Sequence, residues 1–283
     1  MKLLLIDTET NTKEDAEVIE IACVFFETTT KTLLQSLSTL IPFEKDNEFL
    51  AINRITKEMA SYNVGHIAIL DTIKELMLKA DYCVSYNIEF DQPLVEDLLG
   101  INCEWLCAMK DFKFSHYKPY PSLIDLALSY NIPILNTHRA LGDCLILARL
   151  FRSVNDFDKK IEEAIARKES PREIITADIA FEDREIAKEN GFYFDQDTKS
   201  WVKELATIDL GEIESYPDIL QTAIKRAKSP KKKVIALVSY DDRELAKKHG
   251  FHFDKADKNW QKEIADFELE ETISQFPFKY MLK

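Results

Sequence analysis

Residues 177–205, "ADIAFEDREIAKENGFYFDQDTKSWVKEL", align without a gap on residues 236–264, "ALVSYDDRELAKKHGFHFDKADKNWQKEI", with 14 identities in 29 positions at a constant offset of 59. No other feature limits the possible folds of this chain so strongly. A segment that repeats itself at that period folds as two small, similar units rather than around one shared core. The likeness extends upstream, where "EEAIARKESP" (162–171) matches "QTAIKRAKSP" (221–230). Each unit therefore reads as a helix, a Ser-Pro break, a strand, a short helix ended by Gly191 or Gly250, and an F-x-F strand, then a turn and a strand bearing Trp201 or Trp260. The expected division is one domain over 1–153 and two small duplicated α+β domains over 154–215 and 216–283.

The first 153 residues have a different texture. Residues 2–7, 18–27 ("VIEIACVFFE") and 31–41 ("KTLLQSLSTLI") are β-rich, and short links between them predict an antiparallel meander. From residue 64 the spacing becomes helical, followed by the short buried strand "DYCVSYN" and a helix "FDQPLVEDLLG" ending at Gly100, with Pro93 expected in its first turn. "CEWLCAM" predicts another strand, "SLIDLALSYN" a helix capped by Ser122, and "HRALGDCLILARLF" a final amphipathic helix. Three strands followed by alternating helix and strand predict a mixed α/β sheet.

Composition narrows the function. A net charge of −13 argues against a broad, sequence-independent grip on a polyanion, though not against a nuclease whose acidic site is neutralised by divalent metal. No apolar run is long enough to span a bilayer, and "MKLLLIDTET" lacks the pattern of a cleavable signal, so no membrane partner is expected. Five cysteines, an odd number without a C-x-x-C pair, predict free thiols and a cytoplasmic protein.

The chemistry resides in three short motifs. "LLLIDTETN" ends an apolar strand on Asp7 and Glu9, which share one strand face roughly 6–7 Å apart in Cα. Like charges at that spacing repel unless cations or protons lie between them. "SYNIEFDQPL" sets Asp91 at the start of a helix, just after Asn87 and Phe90, and "HRALGDC" sets His138 and Asp143 five apart at the start of the last helix. Each is weak alone. Together they bring four carboxylates and a histidine to strand ends and helix starts of one domain, as a two-metal phosphoryl-transfer site requires.

The order D-x-E, N-x-x-F-D, H-x4-D resembles the DEDDh (DnaQ-like) class of 3′–5′ exonucleases over residues 1–153. "VIEIA" also matches, and "INRITKEM" (52–59), "EWLCAMK" (104–110) and "HRALGDC" (138–144) look most like the bacterial exonuclease X branch. The resemblance implies a ribonuclease-H-like mixed five-stranded sheet with flanking helices. It implies Mg²⁺ or Mn²⁺, two ions, with Asp7, Glu9 and Asp143 on one and Asp7 and Asp91 on the other. His138 would be the general base, and the backbone around Thr8 and Thr10, with Asn87 and Phe90, would meet the substrate. The implied partner is nucleic acid, DNA favoured over RNA; an exoribonuclease and an inactive binding scaffold are the alternatives. One departure stands out, because Thr12 occupies the place where the class usually has a glycine. In the repeats, Phe192, Phe194, Trp201 and their counterparts Phe251, Phe253, Trp260 are read as small cores in preference to base-stacking platforms. The basic run "KRAKSPKKK" (225–233) is read either as a phosphate contact or as a solvated linker.

Overall fold

A computed structural model describes the chain except residues 117–119, 135–136, 197, 227–230, 239–242, 255–257, 266–271 and 283. It divides into two compact units, Met1–Ser170 and Pro171–Lys283.

In the first unit, strands β1 (Lys2–Thr10), β2 (Val18–Glu27) and β3 (Thr32–Leu40) form the expected meander. Two one-turn helices, α1 (Leu50–Asn53) and α2 (Lys57–Ser61), lead to α3 (His66–Lys79), then β4 (Tyr82–Ser85), α4 (Ile88–Leu99) and β5 (Trp105–Cys107). Helices α5 (Leu123–Ser129), α6 (Ala140–Ser153) and α7 (Phe157–Glu169) complete the unit. The sheet order is β3-β2-β1-β4-β5, antiparallel among the first three strands and parallel from β1 through β4 to β5. Ser122 accepts a hydrogen bond from the Asp125 backbone at 3.0 Å, which is the cap expected for α5. Helix α4 begins earlier than the sequence pattern predicts. Pro93 is therefore its sixth residue, beyond the first turn, and forgoes the bond to the carbonyl of exposed Glu89.

Alternation along the strands sorts the apolar side chains onto two faces. Leu3, Leu5, Ala22, Val24 and Phe26 pack with Ile146, Leu147, Leu150 and Phe151 of α6, while Leu4, Ile6, Ile21 and Cys23 pack with α3 and α4. Helix α7 belongs to the first of these cores. Its Phe157 is buried against Phe26, Phe112 and Phe151, at ring-centroid distances of 6.0, 6.2 and 4.6 Å, and Ile161 and Ala164 join it. Burying such side chains is worth about 1.5–3 kcal/mol each. The boundary expected at 153/154 accordingly moves to 170.

The second unit holds two four-stranded sheets of matching topology. The first comprises β6 (Arg172–Ala177), β7 (Tyr193–Asp195), β8 (Ser200–Ala206) and β9 (Ile224–Arg226) in the order β7-β8-β6-β9. It is joined by α8 (Arg184–Glu189) and α9 (Asp218–Ala223). The second comprises β10 (Lys231–Ala236), β11 (His252–Asp254), β12 (Asn259–Ala265) and β13 (Tyr280–Leu282) in the order β11-β12-β10-β13, with α10 (Arg243–Lys248). Tyr216 and Leu220 lie in the core of the first sheet with Ile175, Ala187 and Phe192, so the first repeat runs on past the boundary expected at 215/216. The upstream likeness is also not structural. Ala164 and Ile165 are helical in α7, whereas their counterparts Ala223 and Ile224 end α9 and begin edge strand β9.

Candidate active site

Asp7 and Glu9 leave β1 on the same face as Leu3 and Leu5, beneath α6, whose first turn carries Asp143. One carboxylate oxygen from each of Asp7, Glu9 and Asp143 falls in a cluster whose members lie within 4.8 Å of one another. The ladder register shifts between Glu9 and Thr10, the kind of irregularity that re-aims a side chain at the end of a strand. Asp91 approaches from the other side. Buried in the first turn of α4, it accepts hydrogen bonds from the Thr8 backbone at 3.0 Å and the Thr8 hydroxyl at 2.7 Å. Thr8 points to that face because it alternates with Asp7 and Glu9.

Burial and mutual repulsion make these groups weaker acids. Burial pushes Asp7 well above the usual carboxylate range, with Asp91, Asp143 and Glu9 adding to the effect. Glu9 is pushed up to about 8, by burial first and then by Asp143 and Glu20. Burial raises Asp143 to about 6 against the opposing influence of His138, and raises Asp91 to about 6 against the hydrogen bonds from Thr8. Asp7 Oδ2 and Asp143 Oδ1 are buried without a hydrogen-bond partner among the described residues. A buried carboxylate oxygen in that condition is costly unless a cation or proton meets it. An all-oxygen donor set of this kind suits a hard divalent ion such as Mg²⁺ or Mn²⁺.

His138 is exposed, with a backbone φ of 58° in the left-handed region, two residues before α6 begins. It opens onto a cleft of about 890 Å³ lined also by Asn53, Arg54, Arg139 and Arg149. Phe90 is 43% exposed on α4, and Asn87 keeps a buried Oδ1 without a partner among the described residues. Thr8 and Thr10 are buried, and their hydroxyls donate to Asp91 and to the Thr12 carbonyl. Those two hydroxyls are therefore committed within the protein. The loop bearing Thr12 is tied down by buried Asn11, which donates to Glu17 Oε2 at 2.6 Å and accepts from the Glu17 backbone at 2.9 Å. Of the basic run at 225–233, residues 227–230 lie outside the described residues.

Sequence reasoning assigned no role to Glu20. It sits on β2 directly opposite Glu9, is 2% exposed, and forms a two-pronged pair with Arg139. The signal was present as the single charge inside the apolar run "VIEIACVFF". In the repeats, Phe192 and Phe251 are core residues, whereas Phe194 and Phe253 lie at the surface, each edge-on to its tryptophan with centroids 5.5 Å apart.

A model of the family described as Exonuclease matches residues 4–151, and one described as a domain of unknown function (DUF8626) matches residues 233–279. No curated protein matches the chain. Among solved structures, it is similar to a 3′-exonuclease in a structure of 3′-end specific recognition of histone mRNA stem-loop. That match has 16% identity and a TM-score of 0.43, and covers 53% of this chain and 62% of the other. It is also similar to exonuclease X in complex with 5′ overhanging duplex DNA, at 22% identity, TM-score 0.42, covering 57% and 99%. A third likeness is to E. coli exonuclease I in complex with a dT13 oligonucleotide, at 12% identity, TM-score 0.47, covering 62% and 48%. The chain thus spans less than two thirds of the length of the first and third of these proteins.

Proposed function

The chain belongs to the exonuclease family, and from that premise we propose that it shortens nucleic acid, DNA in preference to RNA, one nucleotide at a time from the 3′ end. The observation that carries this reading is the trio of carboxylate oxygens within 4.8 Å, two of whose residues have a buried oxygen without a partner among the described residues, beside an exposed histidine. Asp7, Glu9 and Asp143, with Asp91 next to them, fit two divalent cations. Such ions, when bound, offset the charge that develops on the phosphoryl oxygens.

The chain's own residues do the rest. In its neutral form the His138 imidazole takes a proton from the attacking water on a ring nitrogen. The water oxygen bonds to phosphorus as the bond from phosphorus to the 3′-oxygen of the penultimate nucleotide breaks. That oxygen takes up a proton, and a nucleoside 5′-monophosphate departs. Arg54 and Arg149, lining the cleft beside His138, supply local positive charge for a phosphate backbone that an acidic protein would otherwise repel. Phe90 presents an aromatic face suited to a base. The motif likeness to the exonuclease X branch supports DNA, and five free thiols suit the cytoplasm.

The test is digestion of 5′-labelled single-stranded DNA, duplex DNA and RNA with Mg²⁺, with Mn²⁺ and with chelator. Labelled DNA that shortens progressively from its 3′ end only with metal, faster than RNA of the same sequence, supports the reading. Release of the 5′ label as the first product, or full digestion in excess chelator, contradicts it.

A further inference from the structure

Glu20 is a buried carboxylate that accepts four hydrogen bonds among the described residues. Arg139 Nε donates to its Oε2 at 2.9 Å and Arg139 Nη2 to its Oε1 at 2.8 Å. The backbone N–H of Ala140 donates to Oε2 at 3.0 Å, and Ser38 Oγ to Oε1 at 3.2 Å. Burying a lone carboxylate is expensive, and breaking one side of such a pair is more so. A set of this kind therefore holds its members in one geometry.

Those members matter because of where they lie in the chain. Helix α6 has Arg139 at its N-cap, and that residue makes no side-chain cap bond of its own. The vacant capping function is filled from another element, since Glu20 on β2 accepts from the first helical N–H. Arg139 and Ala140 directly follow His138, whose left-handed φ of 58° is unfavourable for a side chain with a Cβ and persists only where its surroundings enforce it. Asp143 stands one turn further along α6. Asp7 and Glu9, by contrast, ride on β1, and Glu9 lies directly across the ladder from Glu20. One carboxylate on β2 thus ties the junction bearing His138 and Asp143 to the strand pair bearing the other two acids.

We propose that Glu20 is a positioning residue for catalysis: through its grip on Arg139 and the Ala140 N–H, it sets His138 and Asp143 in register with Asp7 and Glu9. The inference rests on the exonuclease reading for its kinetic consequence but not for its structural one, and the experiment separates the two.

The full-length protein is compared with Glu20→Ala, Glu20→Gln, Arg139→Ala and the Glu20→Ala/Arg139→Ala double variant, by kcat and KM on single-stranded DNA and by amide hydrogen exchange across residues 138–143 without substrate. A misplacement of about 1 Å costs roughly a hundredfold in rate. Glu20→Ala should therefore lower kcat about 10- to 100-fold while KM changes less than about threefold. Glu20→Gln, which still accepts hydrogen bonds, should recover part of the loss, and the double variant should be no slower than Glu20→Ala alone. Exchange at 138–143 should accelerate in Glu20→Ala and Glu20→Gln. Should Glu20→Ala not fold, Glu20→Gln carries the same two readouts. Unchanged exchange at 138–143, or a Glu20 variant that lowers only the melting temperature at normal kcat, overturns the proposal. If the wild type fails to digest nucleic acid, the exonuclease reading fails while the exchange experiment still decides whether Glu20 holds the junction.

Discussion

Asp7, Glu9, Asp91 and Asp143 are four like charges gathered at one end of the catalytic sheet, each with its acidity suppressed by burial and by its neighbours. The inward-facing cations of the repeats are treated in the opposite way. Lys203 donates to the carbonyl of Asn190 at 3.0 Å and to the Tyr216 hydroxyl at 2.7 Å. Its counterpart Lys262 donates to the carbonyl of His249 at 3.0 Å. Asn190 and His249 directly follow α8 and α10, so each lysine places positive charge where a helix presents unpaired carbonyls. One unit spends stability to hold acids together, and the other uses charge to secure its fold. The contrast separates a site from a scaffold without reference to any sequence motif.

Asp7→Ala tests the contrast most severely. Activity should drop to the background rate, because Asp7 is the residue shared between the two proposed ions. In chelator at pH 8 the same variant should melt at a higher temperature than wild type, since it removes a buried carboxyl whose ionised form burial and its neighbours disfavour. The wild type should show the matching pH dependence. Folded Glu9 keeps its proton up to about pH 8, against 4.5 for an ordinary glutamate. Chelated protein should thus be most stable below about pH 4.5 and lose stability as pH climbs to about 8. Added Mg²⁺ should reverse that loss. Thermal melts from pH 4 to 9 check all three, and a flat profile in chelator would mean the acids are not in conflict.

His138→Ala should keep metal binding and lower turnover by roughly 10²–10⁴-fold. Metal titration of the variant and single-turnover kinetics at saturating Mg²⁺ measure both.

Next in size is Phe157→Ala, expected to cost about 3–5 kcal/mol in urea unfolding of residues 1–170, as truncation of a fully buried aromatic does. A fragment ending at 153 should consequently be unstable where 1–170 is folded. Equal stability of the two fragments would return the boundary to 153.

The smallest effect is expected in the repeats, where Lys203→Met and Lys262→Met should each cost about 1–3 kcal/mol without altering kcat. A loss of kcat in either would show that the repeats reach into the chemistry.

The motifs of the candidate site were legible because each is local. Asp7 and Glu9 are two apart on a strand, so alternation alone predicts their shared face, and His138 and Asp143 both fall at the start of one helix. Glu20 carried a weaker signal, since the reason for a charge in a buried strand is Arg139, 119 positions away. Helix α7 was assigned to the wrong body for a related reason. An amphipathic pattern declares that one face will be buried but not by what, and the ring stack of Phe112 and Phe151 claims that face. The upstream likeness misled further, because similar residues become helix in one place and edge strand in the other, where pairing with β6 overrides local preference.

The edge strands have a mechanical corollary. β9 pairs antiparallel with β6 through only three residue pairs, and β13 pairs with β10 in the same way. Each repeat begins on its inner strand and ends on that short edge strand, so the chain enters and leaves at the same end of the sheet. Tension applied along the polypeptide would load these hydrogen bonds one after another instead of all at once. Such a module opens like a zipper at low force, one residue pair after the next from the edge strand inward.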